Sequence, residues 1–268
     1  MVAAARRSTR NIRRRELPGR LFRGFDPTLR ACLRLRHYPP LLQAEGKAAL
    51  VEINAAGNQL CGAIDGAALR KMPTLVALCM NFNQLVGPVP EALCGHCPNL
   101  GVLTLAANTL TGHVPAFSPL NSPNLRVLHL YQNDLEGGVP ESLGELELLE
   151  EVRLWGNRLS GSIPPSLGAL KRLKVLHLGG NRLTGAVPPE LQGCGSLEML
   201  FLHDNRFTGD LPTAALAALA PRLTNLTLGG NAGLAAGLKA AEAEVHAANP
   251  SVSFKYQEAA DAIAAHNL

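Results

Sequence analysis

The residues able to do chemistry are few, and their spacing decides what each could do. Cys94 and Cys97 stand as Cys-Gly-His-Cys, the spacing of a redox dithiol or of half a zinc site. A structural zinc wants four ligands, and no second pair lies at a suitable distance in the chain. A thioredoxin-like dithiol also needs a strand–helix setting of its own. The competing reading is a core position, where cysteine acts as a small hydrophobe. His129, His177 and His203 with Asp204 invite an acid–base reading, but a hydrolytic triad needs a nucleophile on a strained turn. No serine is so placed, so neither catalysis nor a cofactor is expected. Asn225-Leu226-Thr227 is the usable glycosylation sequon, because Asn249 is followed by Pro250. Recognition chemistry is what remains. Tyr131, Arg153, Trp155 (the sole tryptophan) and Phe201 are types enriched at binding interfaces.

The elements that must position these residues are repeats. Asparagine recurs at Asn58, Asn83, Asn108, Asn133, Asn157, Asn181, Asn205 and Asn231, at spacings of 24 to 26 residues. Each follows by eight residues a leucine: Leu50, Leu75, Leu100, Leu125, Leu149, Leu173, Leu197 and Leu223. Aliphatic residues recur three and five positions after that leucine, as Leu176 and Leu178 do before Asn181. The pattern then runs L-x-G-x-[IVL]-P, for example Leu159, Gly161, Ile163 and Pro164. The eighth unit has Gly233 in the leucine position and reads as terminal.

Alternating apolar positions give a short strand with leucines inward and variable residues outward. One unit cannot bury its leucines alone, so neighbours must stack. The asparagine amide can satisfy backbone groups that the turn leaves unpaired. Proline then ends the ladder and sends the chain to the other face.

These residues resemble the plant-type leucine-rich repeat, L-x-x-L-x-L-x-x-N-x-L-x-G-x-I-P, over residues 50–235. Receptor-like and polygalacturonase-inhibitor-like proteins carry such arrays. The resemblance implies an α/β repeat solenoid: a right-handed arc with a parallel concave sheet and short 3-10 or helical convex segments. It also implies partners, protein or peptide, that meet the variable strand residues. The paired cysteines that extracellular relatives often carry in an N-terminal cap are not evident here.

The expected organisation is a basic arm at 1–29, a cap at 30–49, eight repeats at 50–235 and a helical cap at 236–268. Caps are required because both ends of a stack expose apolar surface and a strand edge. Leu41 and Leu42 would lead into the first unit. Leu238 to Ala248 reads as a helix stopped near Asn249-Pro250, with Val252, Phe254 and Tyr256 alternating like a strand and 257–266 helical again.

Two outward columns can then be read across the units. One runs Asn54, Cys79, Thr104, His129, Arg153, His177, Phe201, Thr227. The other runs Ala56, Asn81, Ala106, Tyr131, Trp155, Gly179, His203, Gly229. Units four to seven concentrate the large residues, so His129, Tyr131, Arg153, Trp155, His177, Phe201, His203 and Asp204 form the candidate binding set. Cys97 and Cys194 share a slot with Met72, Ser122, Leu146, Leu170 and Ala220, which favours the core reading for them.

The net charge of +4 is asymmetric: eleven arginines against Glu16 and Asp26 give residues 1–40 a charge of +9 and leave −5 to the rest. Such an arm could be a solvated tail, an organelle address, or a contact for nucleic acid or an anionic surface through residues 1–25. No apolar run of the length a secretory signal needs lies before residue 40, and no stretch is long enough to span a bilayer. An intracellular or organelle-targeted, soluble protein is therefore expected over an extracellular one.

Overall fold

A computed structural model of the chain describes residues 34–37, 50–234 and 237–255. The expectations for the arm at 1–29, for most of the 30–49 segment and for 256–268 lie outside the described residues.

Each repeat contributes one three- to five-residue strand to a ten-stranded sheet. Its strands, in order, are Arg34–His37, Leu50–Asn54, Ala77–Cys79, Val102–Thr104, Val127–His129, Glu151–Arg153, Val175–His177, Met199–Phe201, Asn225–Thr227 and Ser253–Lys255. Every pairing is parallel except the first, where Arg34–His37 runs antiparallel to Leu50–Asn54. Registers align equivalent residues, so His129, Arg153, His177, Phe201 and Thr227 are successive neighbours across the sheet. The fold is the expected α/β repeat solenoid.

The leucine slots are dry. Leu75, Leu100, Leu125, Leu149, Leu173 and Leu197 have no exposed surface, nor have Leu78, Leu103, Leu128, Leu176 and Leu200. They belong to one aliphatic core running the length of the array, which is why so few aromatics suffice. Phe207 takes a slot that leucine holds in the preceding units and is equally buried.

Behind six of the asparagines the L-x-G stretch forms a second strand; after Asn133 and Asn231 it makes only an isolated bridge, at Glu136 and Gly233. The six strands join into two lateral three-stranded sheets, Cys61–Ala63 with Gln84–Pro88 and Thr109–Thr111, and Ser160–Gly161 with Arg182–Gly185 and Arg206–Phe207. The convex side carries 3-10 turns at Glu141–Glu145, Pro165–Ala169 and Pro189–Gly193, and short helices at Gly66–Leu69, Ala92–His96 and Thr213–Leu219. Proline at the start of two of these turns has no amide proton to waste there. At the C-terminal end the helix Leu238–Ala248 buries Leu238, Ala241 and Val245, and Ser253–Lys255 pairs with the last repeat strand.

Each ladder asparagine stitches two repeats together. Asn108 is typical: its Nδ2 donates to the carbonyls of Leu105 (3.0 Å) and Ala106 (3.2 Å) in its own turn and of Met80 (3.1 Å) one repeat back. Its Oδ1 accepts from the Leu85 N–H at 3.0 Å. Asn133, Asn157, Asn181 and Asn205 repeat this set. Asn231 does so in the degenerate last unit, reaching Phe207, Leu202, Leu228 and Gly229. The residue before each of these asparagines is left-handed, whether it is Gly156 (φ 66°) and Gly180 (φ 62°) or Gln132 and Asp204 (both φ 53°). That turn aims the asparagine side chain inward, and non-glycine residues adopt it at some cost in backbone energy.

The C-x-x-C pair belongs to this core. Cys94 and Cys97 are free, buried thiols, and Cys97 shares a slot with Met72, Leu146, Leu170, Cys194 and Ala220, all buried. Burial, with the negative charge of Glu91 behind it, pushes the Cys94 thiol up to about 12. Burial alone raises Cys97 to about 11, and burial leads the rise of Cys194 to about 11. The thiolate is the reactive form, so iodoacetamide at neutral pH is expected to label exposed Cys61 and spare Cys94, Cys97 and Cys194 until denaturant is added. Peptide mass mapping reads this directly; rapid native labelling of Cys97 would contradict the core assignment.

Candidate functional site on the concave face

The outward residues of units four to seven close into one aromatic run. Tyr131 and Trp155 occupy equivalent positions on adjacent repeats and stack face to face, centroids 4.8 Å apart and planes 7° off parallel. That distance is the strand spacing itself, about 4.8 Å, so the sheet sets the stack. His129 lies 6.1 Å from Tyr131 on one side. On the other, Trp155 meets His177 at 5.4 Å, and His177 meets Phe201 at 4.7 Å and His203 at 5.4 Å. Such pairs add about 0.5–1.5 kcal/mol each beyond the area they bury.

The eight candidate residues are not equally placed. Tyr131, Trp155, Phe201, Arg153 and Asp204 are half-buried, with surface left for a partner. His177 and His203, read from the sequence as outward-facing like the rest, are only 3% and 8% exposed. They form the floor under the run. The reason lies at Gly179: a Cβ there would collide with the His203 imidazole. Without one, that ring can lie over the neighbouring repeat, where it meets His177. Its Nδ1 is held 2.9 Å from Thr227 Oγ1.

Polar groups brace the other end. Glu151 Oε2 accepts from His129 Nε2 at 3.0 Å and lies 3.2 Å from Arg153 Nη2. One carboxylate thus fixes two members of the set. Burial holds His129 below the ordinary histidine value and Arg153 adds to this, while the Glu151 hydrogen bond and charge pull the other way. Glu151 and Thr227 were absent from the set expected from the sequence. Glu151 sits in a third outward column, Glu52, Ala77, Val102, Val127, Glu151, Val175, Met199, Asn225, where the single central charge was a usable signal.

Toward the first units the face becomes low. Cys79, Asn81, Thr104 and Ala106 stand where the large residues stood, and Ala106 is fully buried. Asn81 is engaged, its Oδ1 accepting from the Ala106 N–H at 2.7 Å. The aromatic run therefore ends at a step. Along the edge of the sheet Arg126, Glu150 and Lys174 alternate in charge, with contacts of 3.1 and 2.8 Å; these are exposed pairs of small worth. The sequon residue Asn225 lies on a strand paired on both sides, and Thr227 is buried against His203. No group of three or more His, Cys, Asp or Glu side chains able to hold a metal occurs among the described residues. No described helix is long and apolar enough to cross a membrane.

Comparison with known proteins extends this picture. Leucine-rich-repeat family models match residues 147–207 and 124–146. Comparison with curated protein sequences finds no match. Among solved structures, the chain is similar to the plant peptide hormone receptor RGFR1 in complex with RGF2, at 33% identity and a TM-score of 0.64, over 68% of this chain and 28% of that one. It is similar to PEPR1 in the PEPR1–AtPEP1 structure, at 41% identity and a TM-score of 0.64, over 68% and 25%. The Arabidopsis receptor kinase HAESA, solved with the peptide hormone IDA and the co-receptor SERK1, follows at 32% and 0.63, over 68% and 30%. The chain thus spans between a quarter and a third of the length of these receptor chains. An array whose units each hang on one inward asparagine, found again in plant receptors, makes this chain a member of the plant-type leucine-rich-repeat family.

Proposed function

We propose that the chain is a non-catalytic recognition module that binds a peptide or an extended protein segment across the concave strands of units four to seven. The observation that carries the reading is the aromatic run: six rings from four adjacent repeats in unbroken contact. An ordinary solvated face has no need to hold Trp155, Tyr131 and Phe201 half-exposed side by side, since exposed aromatics gathered on one face mark interaction sites. Four strands at about 4.8 Å give a footprint near 15 Å, which an extended segment of about five residues would cross. The rings offer apolar contact with little rotamer entropy to lose. Arg153, held by Glu151, adds a fixed donor at the rim.

The neighbours support the peptide class. RGFR1 is described as a plant peptide hormone receptor and HAESA was solved with the peptide hormone IDA, and both match about two thirds of the present chain. Signalling or scaffolding is the role such a module would serve.

Affinity capture from extract of the source organism tests the reading, comparing the wild type with an Arg153→Glu, Trp155→Ala double variant verified to melt cooperatively. A partner retained by the wild type and lost from the variant is expected. Equal retention by both would move the binding site off this face.

A further inference from the structure

Away from the concave face, the side of the array where the asparagine turns lie changes character along its length. Each unit shows three outward positions there: the left-handed turn residue and the residues two and four places after it. In the first three units none of these is charged, and the second unit has Phe82, Gln84 and Val86. In units four to seven every unit carries a charge, as in Asp134, Arg158, Arg182 and Arg206.

The uncharged part is the lateral sheet of Cys61–Ala63, Gln84–Pro88 and Thr109–Thr111. Phe82 is 56% and Val86 45% exposed, two of the four large apolar side chains left exposed among the described residues. Phe82 is the less expected of the two. It holds φ 56° in a turn where units one, five and six use glycine, so an aromatic ring meets water on a backbone that disfavours it.

We propose that residues 21–33 of this chain lie across that sheet and cover it. The first strand, Arg34–His37, runs antiparallel to Leu50–Asn54, with Arg34 beside Asn54. The chain therefore reaches Arg34 from the end of the strands where the asparagine turns and the lateral sheet lie. The thirteen residues before Arg34 include Leu21, Phe22, Phe25, Leu29 and Leu33. From the first strand to the third repeat is three strand spacings, about 15 Å. Thirteen extended residues reach about 43 Å, so length is ample.

Charge follows the same order. Residues 1–20 hold seven arginines against Glu16, and the first unit past the uncharged sheet has Glu136 and Glu141 exposed. An arm laid from unit one toward unit four meets apolar surface with its apolar part and carboxylates with its basic part. The other lateral sheet is a poor alternative, because Arg182 and Arg206 would face the arm's own arginines. The concave site is not involved, and the proposal does not rest on the function above.

Limited trypsin digestion of the full chain tests this, because cleavage of a docked segment follows the fraction of time it is open. Arg23 and Arg30 lie within the docked segment, and Arg10 and Arg13 lie before it. In the wild type, cuts after Arg23 and Arg30 are expected at least about tenfold slower than cuts after Arg10 and Arg13. The Phe82→Gly, Val86→Thr variant places on this surface the residues that sister repeats carry, as Gly180 and Thr184. Its fold should stand, and the difference in rate should vanish. Phe22→Asp with Phe25→Asp, a change outside the repeats, should abolish the difference equally, and it serves if the first variant misfolds. About 1 M salt, where the screening length falls to about 3 Å, should leave wild-type protection in place. Equal cutting at all four arginines of the wild type overturns the proposal. So does protection that survives either pair of substitutions in a folded protein. Protection lost in salt alone overturns it too, because the arginines and not the apolar sheet would then hold the arm.

Discussion

Replacing Asn157 with alanine is expected to lower the unfolding free energy by about 3–5 kcal/mol, more than any surface substitution in the chain. The side chain is 8% exposed and makes four contacts: Oδ1 accepts from the Leu135 N–H at 3.0 Å, and Nδ2 donates to Leu130 at 3.0 Å, Leu154 at 2.9 Å and, more weakly, Trp155 at 3.4 Å. Alanine leaves the Leu135 N–H and the Leu130 and Leu154 carbonyls without that partner in a place water does not reach. Each orphaned buried group costs about 1–3 kcal/mol. Two of those groups belong to the preceding repeat, so the change also loosens one interface in a chain of nearest-neighbour interfaces. Urea unfolding should show an earlier midpoint with a broadened or two-step transition, because a decoupled array no longer melts as one unit. Asn58→Ala provides the contrast: Asn58 donates only to Ala55 and Ala56 of its own turn, and about 1 kcal/mol is expected. Asn157→Asp separates hydrogen bonding from shape, since a carboxylate of the same size cannot donate to those carbonyls. If Asp at 157 were tolerated as well as Asn, the ladder would not be the cause.

The ladder was legible in the sequence because the same demand recurs in every unit. A turn that buries backbone carbonyls needs a short side chain with two donors and an acceptor, and only asparagine supplies them at that reach. Leucine slots were legible for the same reason, and so was the core role of Cys97, once the register set it beside Leu146 and Leu170. What escaped was lateral. The L-x-G stretches read as exits to the convex side, yet they pair into two further sheets, because backbone pairing leaves no side-chain period in three residues. Burial of His177 and His203 escaped too. Outward placement on a strand follows from alternation, but coverage depends on what the next repeat lacks, and here that is the side chain of Gly179. Glu151 joined the site only in three dimensions, by bridging His129 and Arg153 across two strands.

Trp155→Ala should behave in the opposite manner to the ladder variant. The indole is half-buried on the concave face, stacked on Tyr131 at 4.8 Å and touching His177 at 5.4 Å. Losing these two ring contacts is worth about 1–3 kcal/mol of stability, so the melting temperature should shift less than in the ladder variant. Binding should suffer far more. Central aromatic anchors cost about 2 kcal/mol or more when truncated, which is roughly 30-fold in Kd. The indole also holds the middle of the run, so its loss frees Tyr131 on one side and His177 on the other and removes the pre-formed surface as well as the contact. Leu154→Ala is the matched control on the same strand end. Leu154 is fully buried and its truncation should cost about 2–5 kcal/mol of stability, while leaving the concave side chains in place below the melting point. Calorimetric titration of the captured partner, alongside thermal melts of all three proteins, reads both effects. A Trp155→Ala protein that unfolds early yet binds with native affinity would make the aromatic run a structural brace, and the partner would then have to dock elsewhere on the solenoid.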